Sequence, residues 1–256
     1  MLWKVGDGTL HILGSIHVAE APLLSQADTD RLLDCVELVT FEANFEAPNV
    51  QDITRYKKPG RLQKNVPSAL FEETRQVWLN QAKQESELEA LKPWAAALAI
   101  QNTVMANSGL VRALGVDHLV LQAAKEARKR LFYLETRNAG LAPFANAPLQ
   151  EQVVLLDNAV RKSEEGLKEV RAMIAAWQAR DPVLLSPFVD RALAVMPKTF
   201  SAVLAGRNKL WLPHLIRQIK SGKRAVVVIG MLHMAGPDSV PDLLRTAGHS
   251  CDFVDA

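Results

Sequence analysis

The chain has 256 residues, 48% hydrophobic and 23% charged, and its 30 Lys and Arg against 28 Asp and Glu give a formal net charge of +2. High hydrophobic content with low net charge excludes a disordered chain, a globally basic nucleic-acid binder and a long acidic tail. It leaves enough material for one large domain or two small ones.

No run reaches the ~18–20 apolar residues that a membrane span needs, so none is expected. The opening MLWKVGDGTLHILG shows neither a basic leader nor a cleavage site. That suits a cytoplasmic protein, or an exported periplasmic one whose leader was removed. Leu2 to Val5, the turn Gly6-Asp7-Gly8 and Thr9 to Leu13 read as a β-hairpin. Asp28 to Cys35 reads as a short helix with Cys35 in the core, and Val36 to Phe41 as a buried strand ending at Glu42. Glu46 to Asn65 is polar, holds Pro48, Pro59 and Gly60, and reads as a loop. Helical spacing follows at Ser68–Lys83 and Trp94–Asn107, with Pro93 at or before the first turn of the second.

Asp117 reads as the cap of a helix running to Arg128, and Leu131 to Leu134 as a strand ending at Glu135. From Leu149 to Arg180, Val153, Leu156, Val160, Leu167, Val170, Ile174 and Trp177 recur at helical spacing, with a break expected near Gly166 if there are two helices. Asn208 to Lys220 reads as a helix kinked at Pro213. A strand at Ala225–Ile229, a loop from Gly230 to Gly236, a helix at Val240–Thr246 and a strand at Asp252–Val254 close the chain. The expected fold is α/β, a partly parallel mixed sheet flanked by helices. A single domain over 1–256 would carry mainly helical insertions at about 66–112 and 143–222.

The chemistry gathers at strand ends. TLHILGSIH places Gly14 and His17 after one apolar strand, and AVVVIGMLH places Gly230 and His233 after another, both as Gly-x-x-His. Two further strands, LVTFE and LFYLE, end in Glu42 and Glu135. In open α/β sheets ligands collect beyond the carboxyl ends of strands, where two imidazoles and two carboxylates would suit a Zn, Mn, Fe or Co ion. The glycines would let the chain turn sharply and approach a ligand. The same residues also read as structural histidines and helix caps. His11, His118, His214 and His249 show no ligand partner in sequence, and His118 reads as surface.

From Lys198 to Arg224 there are seven Lys and Arg and no acid, including the pair Arg207-Asn208. Arg207 would grip a carboxylate or phosphate and Asn208 would donate to an oxyanion. Glu37 to Asp52 holds four acids and no base, so the two segments are candidates to face each other. No Gly-x-Ser-x-Gly, His-Glu-x-x-His or phosphate-loop signature occurs, and two cysteines without Cys-x-x-Cys make no scaffold or redox pair.

Across about Leu2 to Phe253 the ordered pieces LWKV, LHILGSIHVAE, VTFE, GVDHLVLQAAKE, LFYLET, the Arg207-Asn208 pair and VVVIGMLHMAGPDSVPDLLRTAG resemble the TraB/PrgY/GumN family, which includes the TIKI metalloproteases. The resemblance implies a fold like the erythromycin-esterase and ChaN haem-uptake proteins. It also implies a hydrolase acting on peptides with Mn or Co. His17, Glu42 and His233 would be its metal ligands, and Glu42, Glu135, Arg207 and Asn208 its catalytic groups. The alternative is a non-catalytic module that captures a peptide, a small anion, haem or a metal in the same cleft.

Overall fold

The computed structural model describes residues 1–44, 52–58 and 61–254; parts of the loop expected at Glu46–Asn65 lie outside them. Six strands form one mixed sheet in the order β4-β3-β5-β2-β1-β6. They are β1 (Leu2–Val5), β2 (Leu10–Ser15), β3 (Leu38–Ala43), β4 (Arg130–Glu135), β5 (Ala225–Gly230) and β6 (Cys251–Val254). β2, β5, β3 and β4 run parallel, while β1 is antiparallel to both β2 and β6. The expected α/β fold is therefore the observed one. At the hairpin, Gly6 and Gly8 take φ of 57° and 93°, the left-handed region that suits glycine. Asp7 accepts the Thr9 backbone N–H at 3.0 Å and closes the turn.

The helices are α1 (Gln26–Leu33), α2 (Arg61–Asn65), α3 (Ser68–Asn80), α4 (Glu85–Ala90), α5 (Pro93–Asn107), α6 (Val116–Glu126), α7 (Arg137–Ala145), α8 (Leu149–Arg161), α9 (Ser163–Ala179), α10 (Ser186–Val195), α11 (Pro197–Ser201), α12 (Arg207–Lys220) and α13 (Val240–Thr246). Parallel crossovers are right-handed, so a reversal in the direction of strand addition moves the connecting helices to the other face of the sheet. β2 to β3 to β4 proceeds one way through α1 and α6, which pack together. β4 to β5 to β6 proceeds back through α12 and α13, which also pack together. The central strand β5 thus sits between β2 and β3, whose chains leave toward the opposite face. That reversal opens the crevice at the carboxyl ends of the three strands.

β5 is an apolar run buried from Ala225 to Ile229, as a central parallel strand must be. A second core gathers Leu62, Phe71, Trp78, Trp94 and Leu156 from α2, α3, α5 and α8.

Several local expectations shift. The periodic stretch from Leu149 is two helices broken at Lys162 (φ −126°), and Gly166 lies inside α9. The polar loop ends in the short helix α2. α1 begins in a capping box between Ser25 and Asp28 and stops at Leu33, so Cys35 takes φ 57° and is exposed rather than in the core. Cys251, by contrast, is fully buried, and burial pushes its thiol up to about 12. Native protein treated with a thiol reagent at pH 8 should take one label, at Cys35, and a second only on unfolding. Two rapid labels would contradict this burial, and mass spectrometry counts them.

Candidate functional site

β2 and β5 pair with Ser15 opposite Gly230, which places the two Gly-x-x-His segments side by side at one end of the sheet. After Gly230 the chain makes a single 3-10 turn, Met231–Met234, that brings His233 back over the strand ends. The glycines serve by leaving room, since Gly230 has an ordinary φ of −53°. A Cβ there would stand 3.2 Å from Glu42 Oε1, 3.5 Å from His233 Cδ2 and 3.8 Å from His17 Nε2. The same three contacts show that His17, Glu42 and His233 border one small region beside Gly230. Gly14 fits under Trp3 and Met231, and its carbonyl accepts the Trp177 indole N–H at 2.7 Å.

Arg207, at the start of α12, is only 8% exposed and lies at the centre of the cluster. Its Nη2 donates to Glu42 Oε2 and to Glu135 Oε1, both at 2.5 Å, and its Nε to Glu135 Oε1 at 3.0 Å. Its Nη1 lies 3.3 Å from His233 Nε2. The guanidinium also stacks 4.5 Å over the Trp211 ring, whose indole N–H donates to Glu135 Oε2 at 3.2 Å. The basic and acidic segments thus meet through Arg207 and Glu42. Lys220, on the same helix, is exposed.

Asn208 is occupied in holding His233. Its Oδ1 accepts from His233 Nδ1 at 2.6 Å, and its Nδ2 donates to the Asp238 carbonyl at 2.9 Å. That assigns the Nδ1–H tautomer to His233 and leaves the Nε2 lone pair facing Arg207, Glu42 and Gly230.

His17 is matched on the other side. Its Nδ1 lies 3.1 Å from Asp117 Oδ2, with the His17 side chain 46% exposed. Asp117 is thus a partner of His17 and sits one residue inside α6, whose N-cap is Gly115. A side chain at Gly115 would collide with the His17 carbonyl group at 2.5 Å, while Val116 N donates to the Ile16 carbonyl at 2.9 Å. Glycine lets the helix end dock on the strand end and present Asp117 to His17. His118, expected at the surface, lines a cavity beside the same residues. Asp117 and Trp211 escaped sequence reasoning because their partners are distant in the chain.

The charges are sorted by these contacts. Burial opposes ionisation of Glu42, but Arg207, the neighbouring imidazoles and the Gly230 N–H hold its carboxyl well below the usual range. Burial dominates at Glu135, with repulsion from Glu42, and raises its carboxyl above the ordinary value despite Arg207. Burial also lowers His233 to about 3, so it is neutral. At the half-exposed His17 the partial loss of water is outweighed by Asp117 and Glu42, which raise it.

Among the described residues, no three His, Cys, Asp or Glu side chains stand already gathered as a metal cage. The donor chemistry nevertheless fits one. Each imidazole has its Nδ1 tied to an acceptor and its Nε2 left for the region beside Gly230, the arrangement that outer hydrogen bonds impose on metal-binding histidines. An ion there would have to displace the guanidinium from His233 Nε2 and compete for Glu42, whose Oε2 accepts from Arg207 and whose Oε1 accepts the Gly230 N–H.

A mixed α/β sheet with polar groups converging at the carboxyl ends of its parallel strands defines the class. The sequence model of the TraB/PrgY/gumN family matches residues 1–252, and the chain belongs to that family. It is similar to the uncharacterized protein YbaP of Escherichia coli strain K12, at 27% identity over 94% of this chain and 89% of that protein. It is likewise 27% identical to YbaP of Shigella flexneri, over 95% of this chain and 92% of the relative. No helix among the described residues is long and apolar enough to cross a membrane.

Proposed function

We propose that the chain is a divalent-metal-dependent hydrolase acting on peptides, with His17, Glu42 and His233 as the metal-holding residues. The observation that carries this reading is the pair of imidazoles fixed through Nδ1, by Asp117 and Asn208, with His17 Nε2 beside Gly230 and His233 Nε2 4.0 Å from Glu42 Oε1. A divalent cation held there would supply Lewis acidity toward a carbonyl oxygen and a water. Mn or Co is favoured by the family resemblance alone, since N and O donors equally accept Zn or Fe. The peptide class rests on the same resemblance.

The chain's own groups divide the remaining work. Glu42 stays ionised and is suited to hold the cation or to accept a proton from water. Glu135, raised by burial, is the carboxyl that takes up a proton first, and Arg207 between them is placed to steady developing negative charge. Asn208 positions His233 by accepting its Nδ1 proton.

One observation favours a second reading. Arg207 already satisfies both carboxylates and approaches His233, which is how a self-contained structural cluster looks. In that case the fold is a non-catalytic module for a peptide, small anion or haem. Elemental analysis beside mass-spectrometric detection of peptide cleavage separates the two. Chelation should abolish cleavage and added Mn or Co should restore it; undiminished cleavage by metal-free protein would defeat the metal reading. Absence of both metal and cleavage across a broad peptide set would support the binding module.

A further inference from the structure

On the sheet face turned toward α6, a cavity of about 170 Å³ lies at the ends of β2, β3 and β5. Phe41, Leu121, Tyr133 and Val228 give it apolar walls. Phe41 pairs with both Val228 and Tyr133 across the sheet, so these three share the face that meets Leu121 of α6. The Phe41 and Tyr133 rings lie 6.3 Å apart, tilted by 34°. An enclosed space of about 150 Å³ is enough for benzene, so a phenyl ring or a branched aliphatic side chain fits. His17 and Glu42 also line the cavity, which therefore borders the candidate site.

The two acids of the lining are already answered within the chain. Glu42 accepts from Arg207 at Oε2 and from the Gly230 N–H at Oε1. Asp117 faces His17 through Oδ2, and its Oδ1 is shut away from solvent, as is the Ser15 hydroxyl. The cation is placed differently. Arg112 lines the cavity from the 3-10 turn Arg112–Leu114 just before α6, and it is exposed, so its guanidinium stands at the mouth. Its charge is near enough to act on both His17 and Asp117. The guanidinium takes part in other interactions of the chain, and with five N–H donors it can add a ligand's carboxylate to them. His118 lines the same cavity from the first turn of α6 and brings a second nitrogen-bearing group. A ligand that suits these walls and this mouth is apolar inside and anionic outside.

We propose that this cavity is a recognition subsite for a carboxylate borne on an apolar body, the apolar part packed on Phe41, Leu121 and Val228 and the carboxylate paired with Arg112. Two sources carry that chemistry. The C-terminal residue of a peptide holds an apolar side chain and a carboxylate on one carbon, and an acidic side chain holds its carboxylate on a short hydrocarbon stem. Only the placing of the neighbouring amide at His17 and Glu42 rests on the proposed hydrolase. The subsite itself is read by binding to metal-free protein without turnover, so its failure and that of the hydrolase are told apart.

The full chain is titrated with N-acetylphenylalanine, its C-terminal amide and the α-amide of N-acetylglutamate up to about 20 mM, a range that covers millimolar affinities for ligands of this size. The Leu121 and Val228 methyl resonances report the cavity. Saturable shifts are expected with at least one of the two acids, and binding at least about fivefold weaker with phenylalanine amide, which keeps the ring and lacks the carboxylate. Tighter binding by N-acetylphenylalanine assigns the subsite to a C-terminal residue, and tighter binding by the glutamate derivative assigns it to an acidic side chain. Arg112→Gln should weaken the tighter acid by about fivefold or more and leave the phenylalanine amide unchanged, with Arg112→Lys recovering part of the loss. Because Arg112 is exposed, neither variant should move the melting temperature appreciably. The phenylalanine amide binding as tightly as both acids, no saturation by either acid, or saturation that leaves Leu121 and Val228 unshifted would overturn the proposal. So would an Arg112→Gln protein that binds the acid unchanged.

Discussion

Replacing Arg207 by alanine should destabilise the protein by about 3–5 kcal/mol, the usual range for removing one partner of a buried ion pair. Glu42 and Glu135 would then face each other with no guanidinium between them, both buried, and His233 would lose its nearest donor. At about 2–4 °C per kcal/mol for a chain approaching this size, the melting temperature should fall by roughly 10 °C. Part of the loss is repulsion between carboxylates, so adding Glu135→Gln to Arg207→Ala should recover some of it. Arg207→Lys should fall between, because an ammonium cannot reproduce the fork that reaches both glutamates. Lys220→Ala, at an exposed position of the same helix, should change stability by less than about 0.5 kcal/mol. Calorimetry on these variants checks the series, and an Arg207→Ala protein melting within about 2 °C of the parent would show that the cluster does not hold the fold together.

The second large effect is expected at His17 and its partner. His17→Ala removes one of the three side chains proposed to hold the metal and should eliminate both metal retention and cleavage. Asp117→Asn keeps the ring but replaces the carboxylate that fixes its Nδ1–H, 3.1 Å away. Loss of such an outer hydrogen bond typically weakens metal affinity 10–100-fold, so Asp117→Asn should retain the fold and show that intermediate loss. Isothermal titration with Mn, read beside turnover, distinguishes the two variants. Equal affinities for Asp117→Asn and the parent would reduce Asp117 to a helix-terminus charge, a favourable but ordinary place for an acid.

Much of the fold was legible because its signals are local. The runs AVVVIG and LVTFE are short and largely apolar, and the helices around Trp94 and Val240 carry proline within their first two positions. What the sequence conceals is order. That β5 enters between β2 and β3 follows from crossover handedness and packing over almost the whole chain, and only that insertion brings Gly230 beside Glu42. Asp117 carries the ordinary signal of a helix cap. The cap fell to Gly115 because the His17 backbone leaves no room for a side chain, a constraint set about a hundred residues away. Cys35 continues an apolar pattern past the point where α1 ends, so the chain turns there and leaves it exposed. The strand-end glutamates and histidines are visible as a set, and Arg207 stands out as a group that would grip a carboxylate, but that the carboxylates it grips are Glu42 and Glu135 of its own chain is not visible.

The most direct measurement is a crystal structure of the chain grown with Zn, with anomalous scattering to locate the ion. One peak about 2.0–2.2 Å from His17 Nε2, His233 Nε2 and a Glu42 oxygen is expected. Arg207 Nη1 should be drawn away from its present 3.3 Å contact with His233 Nε2. A protein that cleaves peptides with no ion in the cluster, and with that contact intact, would contradict the metal site.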